Sequence, residues 1–518
     1  MIRDKALSQM EESKEPWDFL VIGGGATGLG SAVDASARGY RTLLVEQHDF
    51  AKGTSSRSTK LAHGGVRYLK QGNISLVLEA LNERGLLVEN APHLVHHLSF
   101  IVPIYNWWEG PFYGIGMKIY DRMAGKLGLT PSRRLSKERT IRLIPTIEQH
   151  GLQGGVSYYD GQFDDSRLAI NLAQTVFDLG GVALNYMKVV DLIRKDDLVC
   201  GARVRDEETG LEHTVYARTV INATGVFCDT IRQMDDPDAT AIIAPSQGAH
   251  LVLPKAFLPG DSAIMVPHTP DGRVLFAVPW HDHVVVGTTD IAVESVSLEP
   301  QPMDEEIDFI LTNTAKYLSK APERSDVLSV YAGLRPLVKM GDAKNSAAMS
   351  RDHTVLISNS GLVTITGGKW TTYRKMAEDV IDQAQTVAGF DQRPCNTERL
   401  QIHGWTRQTI PEPGLRVYGA DAARLRETLR DDPDLGGRIH PDLPYVGAQV
   451  VWAVREEMAR TVEDVLARRT RALLLGAKAS MAAAPGVASI MARELKRNRQ
   501  WEQHSVEEYR RVAKGYVC

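Results

Sequence analysis

The stretch "WDFLVIGGGATGLGSAVDASARGYRTLLVEQ", residues 17 to 47, decides the fold class. An apolar run from Phe19 to Ile22 predicts a strand, which breaks into glycines. A small-residue stretch to about Arg38 then predicts a helix, and Thr42 to Val45 a second strand ending at Glu46. Strand, turn, helix and strand within about 30 residues, with GxGxxG at the first turn, make a βαβ dinucleotide unit. Gly23 permits the tight turn, Gly25 lets backbone approach a pyrophosphate, and Gly28 lets helix and strand pack closely. Ala26 and Thr27 open the helix, whose free N–H groups and positive dipole end favour phosphate oxygens. Glu46, followed by Gln47, is placed to accept hydrogen bonds from ribose hydroxyls. The motif by itself leaves NAD and FAD both open.

The rest of the chain narrows the class. At 518 residues there is room for two or three domains, each with its own core. Hydrophobic content of 43% with 24% charged residues describes a globular protein, and no apolar run reaches the roughly 18 residues that a membrane span needs. The N-terminal "MIRDKALSQMEESKEP" carries charges of both signs and no apolar core of a secretory signal. It reads as a short disordered lead-in to a cytoplasmic protein. Cys200, Cys228, Cys395 and Cys518 show no CxxC spacing, which argues against a disulfide framework or a thiolate zinc site, and no metal is expected. A net charge of −4 gives no reason to expect a nucleic-acid partner.

Two distant segments add to the first. "ARTVINATGVFCD" (217–229) predicts a strand, Thr219 to Asn222, ending in Ala223, Thr224 and Gly225, where backbone can lie against a cofactor. "GLVTITGGKWTTYRKMAEDVIDQAQTVAG" (361–389) predicts a strand, Leu362 to Thr366, then a double glycine and a helix. The helix buries one face through Tyr373, Met376, Ala377, Val380, Ile381, Ala384 and Val387, and Gly389 can end it. A reduced flavin is negative at its N(1)/C(2)=O edge, and N–H groups around Lys369 to Thr371 at a helix start would stabilise that anion. A nicotinamide enzyme has no such requirement.

Together with "HGGVRYL" (63–69), "VVVGTTD" (284–290), "YAGLRPL" (331–337) and "ITGGKWTTYRK" (365–375), these segments give a sequence that resembles the FAD-dependent glycerol-3-phosphate dehydrogenases. These are D-amino-acid-oxidase-like flavoproteins that oxidise glycerol 3-phosphate to dihydroxyacetone phosphate. The resemblance runs in order from about Asp18 to about Gln385 and is only loose beyond that; no DxDxDG calcium loop occurs. One departure is Val226, where many relatives have proline. Cys228 reads as a packed thiol.

The resemblance implies an α/β fold: a discontinuous Rossmann-type, glutathione-reductase-like FAD-binding domain (15–72, 150–240 and 331–390), an antiparallel-sheet substrate cap (73–149 and 241–330) and a C-terminal helical domain (391–518). It implies that Thr54, Ser55, Ser56, Ser58, Lys60 and Leu61 run along the FAD, with His63, Gly64 and Gly65 against the isoalloxazine. Val189, Ala223, Thr224, Gly225, Gly333, Gly368, Lys369, Trp370 and Thr371 complete the cofactor site. The substrate is a small dianion, and Arg67, Tyr68, His250, Arg335, Arg351 and Lys369 are nominated to hold it. Arg335, His63 and Lys369 carry the chemistry, with His63 as base and His250 as a second candidate; the alternative role for His63 is packing and hydrogen bonding against the ring.

The implied acceptor is a membrane quinone. The alternatives are a glycerol-3-phosphate oxidase using dioxygen, another flavin-dependent hydroxy-acid or amine oxidoreductase of this fold, or a nucleotide-binding regulatory or RNA-modifying flavoprotein. The stretch from Trp107 to Leu129 mixes Trp, Phe and Tyr with Lys118, Arg122 and Lys126. It reads either as a peripheral contact with the inner face of the cytoplasmic membrane or as an ordinary cap element. A homodimer is compatible with the sequence.

Overall fold

In a computed structural model of the chain, residues 1–65, 73–266, 269, 272–339 and 352–518 are described. The glycine-rich unit folds as its pattern predicts. Strand Trp17–Ile22 leads through the glycine turn into helix Ala26–Ala37, and the chain returns as strand Thr42–Val45. Strand Trp17–Ile22 lies at the centre of a largely parallel sheet, between Thr42–Val45 on one side and Glu212–Asn222 on the other. Beyond Glu212–Asn222 comes Val363–Gly367, so the three sequence anchors are neighbours in one sheet. These strands are apolar without alternation because both faces are buried; Phe19, Leu20 and Val21 have no exposed surface.

The second sheet is mainly antiparallel and centres on Ile243–Pro254, which pairs along its length with Ser329–Val338. Sheet membership departs from the sequence ranges at three places. Leu61–Ala62, Gly154–Phe163 and Ser329–Val338 all pair into this second sheet, although 15–72, 150–240 and 331–390 were expected to build the cofactor domain. The cause is pairing that sequence proximity hides: Gly154–Phe163 runs antiparallel to Val95–Ile104 over its full length.

The lead-in is also not disordered. Residues Arg3–Glu11 form a helix that buries Ala6 and Met10. Arg3 pairs with Asp206 at 2.9 Å, and the terminal amine bonds the carbonyl of Glu456 at 2.8 Å. Arg3 and the terminal amine are thus tertiary partners, while Asp4, Lys5, Glu12, Lys14 and Glu15 stay exposed. The region after residue 390 is helical, as its texture suggests, and helices such as Gly447–Glu456, Ala477–Leu495 and Arg499–Ala513 enclose a core of their own. No helix among the described residues is long and apolar enough to cross a membrane.

Candidate FAD and substrate site

A cavity of about 300 Å³ opens where the three anchors meet. Gly23 and Gly25 form its floor with Ala26 and Thr27, Glu46 and Gln47 close one end, and Ala223, Thr224 and Gly225 form a side. Thr54, Ser55, Val189, Gly368, Lys369 and Trp370 also line it, so most of the predicted cofactor residues converge.

The glycines are needed for the stated reasons. Gly23 has φ +112°, and a Cβ there would come 2.7 Å from the carbonyl oxygen of Ala223. A Cβ at Gly28 would collide with the carbonyl oxygen of Gly23, so Gly28 serves packing and not the cavity wall. Helix Ala26–Ala37 starts at Gly25 without a side-chain cap. Ser55 Oγ accepts from the Ala26 N–H at 2.9 Å, which leaves its O–H to donate to a phosphate oxygen. The Glu46 carboxylate accepts from Gly24 N–H at 2.7 Å and His48 N–H at 2.8 Å. Burial raises its pKa against the pull of those two donors. A carboxylate has acceptor capacity beyond two bonds, which is what a pair of ribose hydroxyls requires.

The third anchor ties the site together. Gly367 and Gly368 have φ +83° and +72°, followed by the helical turn Trp370–Thr372 and helix Tyr373–Val387. Trp370 Nε1 donates to the carbonyl of Ser55 at 2.8 Å, and its ring meets Phe163 edge-on at 5.5 Å. Lys369 lines the cavity. Thr371 is buried behind it and accepts from His63 N–H at 3.3 Å while its hydroxyl faces the His63 carbonyl at 3.5 Å. A backbone-lined floor, an uncapped helix start, an acidic end and N–H groups beside Lys369 suit a flavin dinucleotide.

Several nominated residues do other work. Lys60 has no exposed surface and donates to both oxygens of Asp165, at 2.9 and 2.7 Å, with Trp280 and Tyr331 packed about its ammonium. Burial lowers its pKa and Asp165 opposes that. It is a buried structural cation that cannot reach a phosphate. Ser58 joins the same network through Asp165 at 2.7 Å, Ser56 Oγ turns back to the carbonyl of Gly53, and Leu61 is a core residue. Gly333 is small because the strand passes Arg57: a Cβ would lie 3.0 Å from its carbonyl oxygen. Gly64 is likewise spared a side chain by Leu81 and Tyr120, and Gly65 holds φ +76°.

Arg335 lies opposite Ser246 in the paired strands. Its guanidinium donates to Asp290 at 3.1 Å, to the Thr289 carbonyl at 2.9 Å and to Thr288 Oγ1 at 3.2 Å, with 24% of the side chain exposed. Gly248 makes room for it. Asp290 and Gly248 were not nominated; the signal was the acidic end of "VVVGTTD". His250 stacks on Tyr331 at 4.7 Å and shares a hydrogen bond with Thr59 at 2.9 Å. Burial, then Lys60 and Arg335, hold its pKa well below the ordinary imidazole value, so it is a neutral packed ring and a poor base. Cys228 is a packed thiol whose pKa burial pushes up to about 12. Arg67, Tyr68 and Arg351 lie outside the described residues.

With this geometry in view, comparison with known proteins is direct. Residues 18–374 match the family described as FAD dependent oxidoreductase. The chain belongs to that family. Its cofactor is FAD. Residues 362–503 match the C-terminal domain of alpha-glycerophosphate oxidase, so the helical region, whose resemblance to the family is only loose by sequence, is a family element. The mitochondrial glycerol-3-phosphate dehydrogenase of Homo sapiens is 40% identical, covering 99% of this chain and 75% of the relative. That of Arabidopsis thaliana is 41% identical, covering 98% and 86%. Among solved structures, the glycerol-3-phosphate dehydrogenase from Bacillus halodurans complexed with FAD is 30% identical, covers 100% of this chain and 98% of its own, and superposes with a TM-score of 0.77. Within the flavoprotein family the chain therefore sits among the glycerol-3-phosphate dehydrogenases.

Proposed function

We propose that the chain oxidises sn-glycerol 3-phosphate to dihydroxyacetone phosphate and passes the electrons to a membrane quinone. The observation that carries this reading is that Pro336, next to the clamped Arg335, and Lys369 line the same FAD cavity. Lys369 on the cavity wall supplies one cation for a phosphorylated alcohol, and Arg335, one residue from that wall, supplies the second.

Bound FAD supplies a two-electron acceptor, N(5), for the hydride leaving the carbinol carbon. His63 takes the hydroxyl proton; its backbone is held by Thr371 beside Lys369. Arg335, fixed by Asp290, orients the hydroxyl and stabilises charge developing on its oxygen without itself ionising. Lys369, Arg67, Tyr68 and Arg351 take the phosphate.

Support for the quinone comes from the surface. Helix Glu109–Met123 exposes Phe112, Ile115 and Ile119, and Trp107 just before it is 79% exposed, with Lys118 and Arg122 alongside. Aromatic and aliphatic side chains flanked by basic ones suit an interface with anionic lipid. The rival acceptor is dioxygen, favoured by the likeness of residues 362–503 to an oxidase domain. Purified yellow protein should bleach anaerobically with glycerol 3-phosphate, then recover its colour faster with a soluble quinone analogue than with air. Failure to bleach refutes the substrate; stoichiometric peroxide with no quinone reduction refutes the acceptor.

A further inference from the structure

His63 and Gly64 are gripped from two sides. On one side stands Thr371, from the cofactor motif. On the other, the Gly64 N–H donates to Tyr120 Oη at 2.9 Å. Tyr120 donates in turn to Asp160 Oδ2 at 2.8 Å, and the other oxygen of Asp160 accepts from Arg84 at 2.8 Å. Tyr120, Asp160 and Arg84 are all within 2% of full burial and come from three separate elements: helix Glu109–Met123, strand Gly154–Phe163 and helix Ile74–Asn90.

The phenol does two jobs at once. It accepts from a backbone N–H while donating its own proton to a carboxylate, and the carboxylate is kept ionised by a guanidinium. Asp160 fixes the rotation of the hydroxyl, so its lone pairs face Gly64. There is no slack, since a Cβ at Gly64 would run into both Leu81 and the Tyr120 hydroxyl.

We propose that Tyr120 is a positioning residue: through Asp160 and Arg84 it sets the His63–Gly64 peptide at the distance from FAD that proton and hydride transfer need. The inference rests on the proposed function in placing His63 at the reaction centre. It also gives the exposed aromatic helix a second task, because the element that turns Phe112 and Ile115 outward turns Tyr120 inward onto the reacting loop.

The test uses the FAD-loaded full chain. Tyr120→Phe removes the acceptor and leaves a buried N–H unsatisfied. A fraction of an ångström of drift in a catalytic group is enough to slow the chemical step, so the limiting rate of flavin reduction by glycerol 3-phosphate should fall by about tenfold or more, with KM changed by less than about twofold. The absorption band of bound flavin should shift, and peptide 61–65 should exchange its amide hydrogens faster. Tyr158→Phe is the control. Tyr158 is equally buried, stands edge-on to Tyr120 at 6.4 Å, and its hydroxyl meets the sulfur of Met265. It should match the wild type in rate, spectrum and exchange. Asp160→Asn, which keeps the shape and removes the charge, should slow reduction in the same direction if Tyr120→Phe does not accumulate. The proposal is overturned if Tyr120→Phe keeps the wild-type rate and spectrum, or if Tyr158→Phe loses as much. If the wild type itself is not reduced by glycerol 3-phosphate, the proposed function falls instead.

Discussion

His403 makes a prediction that can be worked from the structure. Its Nδ1 lies 2.6 Å from Asp178 and its Nε2 2.8 Å from Asp421, so both ring nitrogens face carboxylates. Only the imidazolium can donate to both; a neutral ring would turn a lone pair on one carboxylate. Burial lowers the pKa, but the bonds from Asp178 and then Asp421 outweigh it and raise it to about 9 from the ordinary 6.5. That rise corresponds to about 3 kcal/mol, reduced to about 2 kcal/mol because Asp178 is half exposed and solvent screens the pair. The folded pKa lies above the unfolded one. The stabilisation is therefore complete below about pH 6.5, shrinks as pH rises, and is gone above about pH 9. Asp178 ends helix Asp165–Asp178 and Asp421 ends the turn Pro413–Asp421, so the loss should appear as local opening where the helical domain docks. Hydrogen exchange of residues 402–421, corrected for the intrinsic rate, should show the opening free energy falling by about 2 kcal/mol between about pH 6 and pH 10. In His403→Gln it should stay flat. Equal slopes in the two proteins, or a wild-type transition centred near pH 6.5, would refute the reasoning.

Three further outcomes follow from other parts of the molecule. Arg335→Ala should abolish turnover while the flavin spectrum shows FAD still bound, since Arg335 lies off the dinucleotide floor; retained activity would remove it from the site. Lys60→Met leaves Asp165 buried without its cation and should cost about 3–5 kcal/mol in urea denaturation, a loss that Lys60→Met with Asp165→Leu should largely recover. Replacing Phe112, Ile115 and Ile119 together by Ser should reduce co-sedimentation with phosphatidylglycerol vesicles several-fold; undiminished binding would exclude that helix as the contact.

What sequence revealed and what it hid follow from the range of the interactions. The floor of the cofactor cavity was legible because its pattern is local: Gly23, Gly25 and Gly28 follow one apolar strand at fixed spacing, and Glu46 sits at the end of the next, although the atom that excludes a Cβ at Gly23 belongs to distant Ala223. Ala223 and Gly368 were legible because a strand ending in small residues is itself a signal. Lys60 misled because a lysine inside a serine-rich loop has the same local pattern whether it meets a phosphate or Asp165, and Asp165 is far along the chain. Tyr120 carries no local mark, and Asp290 only the acidic end of "VVVGTTD"; each acts on a residue brought to it by the second sheet. Gly64 shows the same limit from the other side, since the need for glycine was readable but the obstructing group, Tyr120 rather than a ring of FAD, was not.

The same reasoning explains why an FAD enzyme carries a helical domain so far from its glycine motif. Asp49, in the loop after strand Thr42–Val45, is fully buried and accepts from Arg468 and Arg469 at 2.5 Å each. Lys52, three residues on and part of the cavity wall, pairs with Glu463 at 2.5 Å, and Glu463 also takes Arg468 at 2.7 Å. Arg167 and Glu457 form a two-bond fork at 2.7 Å between helix Asp165–Asp178 and the same domain. Buried ion pairs add little net stability over apolar packing, because desolvation cancels most of the attraction, yet each is intolerant of misalignment. A greasy interface would let the helical domain slide by a fraction of a turn. This one holds the segment from Asp49 to Ser55 in a single register, and that segment carries Gly53, Thr54 and Ser55 into the cavity wall. The charges are thus a positioning device for the cofactor wall, built from a part of the chain far in sequence from the dinucleotide motif.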